Sequence, residues 1–97
     1  MTRNLKIIVE YNGSGYHGWQ RQKNARTVQQ VLEEAISLIT REEIRVTGAG
    51  RTDAGVHALN QVANFRTKSE IEETGLLRGI NSILPKDVAV KHLTEAP

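Results

Sequence analysis

Within Gly48-Ala-Gly-Arg-Thr-Asp-Ala-Gly-Val-His-Ala58 the chain sets a carboxylate, Asp53, two positions from a guanidinium, Arg51, and four from an imidazole, His57. Gly48, Gly50 and Gly55 allow φ > 0 and the close approach of another molecule, and a turn at strand ends holds such side chains out from a rigid scaffold. A carboxylate is ionised at neutral pH without a dedicated base. It can therefore form a transient covalent bond as a nucleophile, with Arg51 keeping it charged and aligned. Asp-Ala-Gly is also ordinary turn chemistry, in which the Asp side chain bonds its own backbone. His57 suits a phosphate contact or a structural bond equally well.

Upstream, Tyr11-Asn-Gly-Ser-Gly-Tyr-His-Gly-Trp-Gln-Arg-Gln22 contains a literal G-x-G-x-x-G. A dinucleotide fingerprint requires a helix to start at the third glycine. Here nine residues separate Gly18 from Val28, and no parallel βαβ unit follows. The segment holds three of the four aromatics, Tyr11, Tyr16 and Trp19. Rings interleaved with Gln20, Arg21, Gln22 and Lys23 suit RNA, stacking on splayed bases while polar groups bond base edges and phosphates. A lone tryptophan more often anchors a loop on the core, so Tyr11 and Trp19 are assigned structural roles, and Tyr16, Gln20, Arg21, Gln22, Lys23 and His57 are the candidate RNA contacts. His17, His57 and His92 lack metal-ligand spacing, and neither a metal nor a cofactor is expected.

The 97 residues suffice for one domain with one core. No apolar run approaches the ~20 residues of a membrane span, and Met-Thr-Arg-Asn leads into a strand without a signal peptide's apolar core. The chain has no cysteine, which removes disulfides and thiol nucleophiles and fits a cytoplasmic location. A net charge of +2 is too small to imply nucleic acid, but its distribution is uneven. Residues 12–27 carry Arg21, Lys23 and Arg26 and no acid, while Glu33, Glu34, Glu42, Glu43, Glu70, Glu72 and Glu73 fall in or beside the helical segments. A polyanion would be drawn to the loops.

Residues 5–11 read as a strand. Thr27 opens a helix, with Gln30 completing a Thr-x-x-Gln capping box and Val28, Val31, Leu32, Ala35, Ile36 and Ile39 forming one apolar stripe. Residues 44–47 and 59–66 read as strands on either side of the Gly48 loop. Leu76, Leu77, Ile80, Ile83 and Leu84 mark a second helix stopped by Pro85, and residues 88–93 a fourth strand. The order βαββαβ is the ferredoxin-like α+β pattern, an antiparallel four-stranded sheet with two helices on one face.

Three segments in order, residues 11–22, 48–58 and Gly79-Ile-Asn-Ser-Ile-Leu-Pro-Lys-Asp87, resemble the motifs of the tRNA pseudouridine synthase A family, over nearly the whole chain. The resemblance implies isomerisation of uridine to pseudouridine in the anticodon stem-loop of tRNA, family positions 38 to 40, with Asp53 as nucleophile. It implies Arg51 filling the gap left by the flipped base, Asn81 satisfying backbone groups beneath the active loop, and a homodimer at full length. The family's second half, with the tyrosine that stacks on the target base, would lie beyond residue 97, so the chain corresponds to an N-terminal catalytic half, inactive alone. A non-catalytic RRM-like module is the main alternative, although such modules read RNA with an aromatic-rich third strand and Gln61-Val-Ala-Asn-Phe65 offers one ring. An acylphosphatase-like hydrolase would need an arginine-bearing phosphate loop after the first strand, which this loop matches only loosely.

Overall fold

From Arg3 to Tyr11 the chain alternates buried Leu5, Ile7, Val9 and Tyr11 with more accessible Asn4, Lys6, Ile8 and Glu10, and extended backbone is what sends every second side chain to one face. This segment, β1, is the middle of the sheet. A computed structural model describes residues 1–50 and 52–96. After β1 (Arg3–Tyr11) and a 3-10 turn come α1 (Val28–Thr40), β2 (Val46–Gly48), β3 (Ala58–Thr67), α2 (Glu73–Ile83) and β4 (Val88–Glu95). The strand order β2-β3-β1-β4, antiparallel throughout, is the expected ferredoxin-like arrangement.

The core lies between the sheet and the helices. Leu5, Ile7 and Val9 of β1, Ala63 and Phe65 of β3, and Val90 and Leu93 of β4 join Leu32 and Ile36 of α1 and Leu76 and Ile80 of α2 in one buried cluster. A register shift between Ile8 and Val9 in the β1–β4 ladder pairs Val9 with Val90 and Ile7 with Leu93, so residues three apart on β4 face the same side. Gly79 suits close helix packing, since an added Cβ would lie 3.0 Å from Ile39 Cδ1 and that side chain would have to shift by a few tenths of an ångström. Among the described residues no helix covers the other sheet face, which carries Lys6, Asn64, Arg66 and Thr94 around half-buried Ile8 and Val62.

Some boundaries differ from the sequence expectation for local reasons. Ile44 lies outside β2 because its N–H bonds Ser37 Oγ of α1 at 3.1 Å instead of a neighbouring strand. Thr27 caps α1 by accepting from Gln30 N at 3.3 Å. The reciprocal half of the capping box is not made, because the Gln30 amide donates to Glu34 at 3.3 Å. Arg41 ends that helix at φ 58. No helix among the described residues is long and apolar enough to cross a membrane.

Phe65 is 1% exposed at the centre of this core. Phe65→Ala should cost about 3–5 kcal/mol, a large part of the ~5–15 kcal/mol that stabilises a domain. Urea unfolding monitored by circular dichroism should show a correspondingly lower midpoint.

Candidate active site

Because Tyr11 pairs with Ala58, the loop after β1 and the loop before β3 leave the same end of the sheet. They lie against each other backbone to backbone. Trp19 N–H donates to Thr52 O at 3.1 Å and Gly55 N–H to Tyr16 O at 3.1 Å. Gly13 N–H donates to His57 Nδ1 at 2.8 Å, and the Tyr11 and Thr52 hydroxyls share a 2.7 Å bond. Within the second loop Val56 N–H closes a turn onto Asp53 O at 3.2 Å. Ala49 N–H to Val62 O, 2.9 Å, and Gln61 Nε2 to Gly50 O, 2.9 Å, tie its start to β3.

Contact this close requires glycine, but mainly in the first loop. A Cβ on Gly13 would lie 2.0 Å from Val56 O, and one on Gly18, at φ 86, 2.6 Å from Thr52 O. Of the three glycines in the 48–58 segment that could take φ > 0, Gly55 does, at 77°. Gly48 is needed for space instead, since a Cβ there would meet Trp19 Nε1 at 2.5 Å. Tyr11 and Trp19 are both buried, with ring centroids 6.2 Å apart, and form the floor of the loop as expected.

Asp53 is exposed on this platform and, with His17, Gln20, Gln22, Thr52 and Ala54, lines a cleft of about 300 Å³. Two of the candidate RNA contacts, Gln20 and Gln22, are thus brought to Asp53, Gln22 held by a 3.0 Å bond from its amide to His17 O. Arg51 lies outside the described residues, and with it the expected pairing to Asp53. Lys23 lies in an adjoining groove of about 760 Å³, lined also by Arg21, Gln22, Asn24, Ala25, Arg26 and Gln30. A bridge between Gln22 and Ala25, with Asn24 at φ 66, folds this basic segment into a tight hairpin. His17 N–H to Arg26 O, 2.8 Å, anchors it.

Three of the candidates are held by partners within the chain. Tyr16 is 3% exposed, its hydroxyl donating to Asp87 Oδ1 at 2.6 Å and its ring covered by the Arg26 guanidinium 5.0 Å away, so it offers no open face to a base. Burial first, then the bond to Asp87, push the Tyr16 hydroxyl up to about 12. His57 uses Nδ1 to accept from the Gly13 backbone, which puts its neutral-state proton on Nε2 and makes the ring a pin between the loops. Arg21 is ion-paired with Glu33 at 2.7 Å.

Glu33, grouped by sequence with solvated helical acids, is buried, and its other oxygen accepts from Val46 N at 2.9 Å. Neither Glu33 nor Asp87 was singled out by residue type. The only signal for Glu33 is its position four after Gln29, which places both on one flank of α1. Asn81 also differs from expectation. Its amide exchanges two bonds with Val90, 2.8 and 2.9 Å, and so sits against β4 and not beneath the active loop. No group of His, Asp or Glu among the described residues could hold a metal ion.

A family model described as tRNA pseudouridine synthase matches residues 7–97. The chain is similar to tRNA pseudouridine synthase A of Caldicellulosiruptor bescii, 50% identical over 98% of this chain and 39% of that protein. It is also similar to that of Thermoanaerobacter sp. strain X514, 57% identical over 91% of this chain and 36% of the relative. With that of Acetivibrio thermocellus it shares 52% identity over 96% of this chain and 38% of the relative. The chain therefore spans less than two-fifths of the length of these relatives.

Tyr16 holds its proton to about pH 12 when folded, against ~10 for an ordinary tyrosine. The stability that follows is complete below pH ~10 and declines as pH rises from there to about 12, because only the unfolded chain has lost the proton. Denaturant midpoints of the parent chain should fall across that window more steeply than those of Tyr16→Phe. Parallel curves would show that Tyr16 does not carry the effect.

Proposed function

The chain belongs to the tRNA pseudouridine synthase family, and from that membership and its loop platform we propose that it is the N-terminal catalytic half of an enzyme converting uridine to pseudouridine in the anticodon stem-loop of tRNA. The observation that carries this reading is Asp53 itself. It is an exposed carboxylate in a polar cleft, on a loop held by backbone hydrogen bonds and flanked by a basic hairpin.

Uridine must lose the bond between N1 and the ribose, turn, and rejoin through C5, so the loose base needs a temporary covalent or polar tether. Asp53 is the proposed nucleophile. Attack on C6 of the base or C1′ of the ribose, or proton abstraction toward a glycal, would each start from the same carboxylate. Extruding the base costs a few kcal/mol, and Arg51 is proposed to fill the vacated stack with its flat, delocalised cation. Gln20 and Gln22 line the same cleft and are suited to bond the edge of the extruded base. Lys23 and Arg26 on the hairpin are the proposed phosphate contacts. Tyr16 supports that hairpin from below, through Arg26.

The isomerisation is redox-neutral and adds no group, so the reading invokes no cofactor. It includes a C-terminal half that supplies the opposite wall of the cleft, without which this chain is inactive, and a cytoplasmic homodimer at full length. The RRM-like alternative loses its basis, because Phe65, the one ring on β3, is buried in the core and not displayed on the open sheet face.

In the full-length protein, Asp53→Asn and Asp53→Ala should abolish tritium release from C5-labelled uridine in tRNA while tRNA binding persists. Turnover by Asp53→Asn would remove Asp53 from the nucleophile role. Binding should also weaken as salt rises, and Lys23→Gln with Arg26→Gln should flatten the slope of log K against log salt by about one unit per lost phosphate contact. An unchanged slope would remove the hairpin from the RNA interface.

A further inference from the structure

We propose that Glu33, together with Gln29, is a positioning residue that sets the basic hairpin against the strand carrying the Asp53 loop; its link to chemistry rests on the pseudouridine synthase reading, its geometry does not. The Glu33 side chain is 4% exposed. A carboxylate so placed is tolerated only when both oxygens are satisfied. Oε1 accepts from Arg21 Nη1 at 2.7 Å and Oε2 from Val46 N at 2.9 Å. One turn earlier Gln29 repeats the pattern, its Oε1 accepting from Arg21 N at 2.7 Å and its Nε2 donating to Val46 O at 2.6 Å. Two side chains on one helical flank thus each make one bond to Arg21 and one to Val46.

Both targets lead directly to the candidate site. Arg21 stands between Gln20 and Gln22, which line the Asp53 cleft. Two residues before it, Trp19 holds Thr52. Val46 opens β2, the strand that runs into the Gly48 loop. The same four bonds, with those of Trp19 and His17, therefore help set how far the hairpin lies from the loop bearing Asp53. A shift of about 1 Å between bound substrate and a reacting group can cost about 100-fold in rate. Arg21 then acts as a strut, bound to Glu33 through Nη1 while its side chain stays 45% exposed in the groove it shares with Lys23 and Arg26.

Glu33→Gln preserves volume and an acceptor for Val46 but presents an amide N–H₂ to the Arg21 guanidinium, donor against donor. In the full-length protein, assayed well below its melting temperature, this variant should lose about tenfold in kcat while KM for tRNA stays within about twofold, the pattern of lost alignment and not of lost binding. Gln29→Met, at a half-buried position, should act in the same direction and serves if Glu33→Gln does not fold. In the same full-length protein, amide hydrogen exchange should accelerate at Val46, Trp19 and Gly55 in either variant and stay unchanged at Ile7.

Folded variants with unaltered kcat would overturn the role in catalysis, and unaltered exchange at Trp19 and Gly55 would overturn the coupling itself. If the unsubstituted full-length protein forms no pseudouridine, the functional reading fails. The exchange measurement then still decides whether Glu33 positions the two loops.

Discussion

The candidate site depends on the backbone-to-backbone contact between residues 13–19 and 52–57. Hydrogen bonds from Trp19, Gly55 and Gly13 join the two segments, and Gly13 and Gly18 leave no room for a side chain between them. Loops joined in this way are held by their own polar groups, so the exposed carboxylate of Asp53 sits on a loop tied at several points to its neighbour. Pre-organisation of this kind is what an extruded base would require, since its free energy of extrusion must be offset by contacts already in place.

The platform in turn rests on polar side chains that join the helices to the sheet, of which Glu33 is buried, Gln29 half-buried and Asn81 exposed. At one edge Gln29 and Glu33 of α1 satisfy the N–H and C=O of Val46, and at the other Asn81 of α2 does the same for Val90. In each case a helix supplies a donor and an acceptor to a single residue of an edge strand, which closes an otherwise open stretch of backbone and fixes the helix in register. The two solutions differ in charge. Asn81 is neutral and complete with Val90, whereas Glu33 needs a cation and recruits Arg21 from the loop. That extra requirement connects the α1 edge to the candidate site.

Tyr16 and Asp87 extend the same logic. Asp87 accepts from the Tyr16 hydroxyl through its side chain and from Asn12 N through its backbone, so the residue just before β4 holds the turn that follows β1. Residues that the motif 79–87 places far along the chain thereby brace the glycine-rich loop. Support of the loop comes from both sides, α1 and the α2–β4 connection.

Much of this was legible in the linear sequence. Alternation and 3.6-residue periodicity mark the strands and helices, because burial of one face requires those repeats, and the three motifs identify the family and point to Asp53. The roles of Tyr16, Arg21, His57 and Glu33 were not legible. An aromatic beside glutamines and arginines reads the same whether its ring faces RNA or the core, and a glutamate on an acidic helix reads the same whether solvated or buried. What separates these cases is which partner arrives from elsewhere in the chain: Asp87 for Tyr16, Gly13 for His57, Val46 and Arg21 for Glu33. Local pattern is sufficient where the solvent-to-core gradient alone selects a conformation. Polar side chains are assigned only by tertiary structure, because their free energy depends on a specific donor or acceptor at hydrogen-bonding distance.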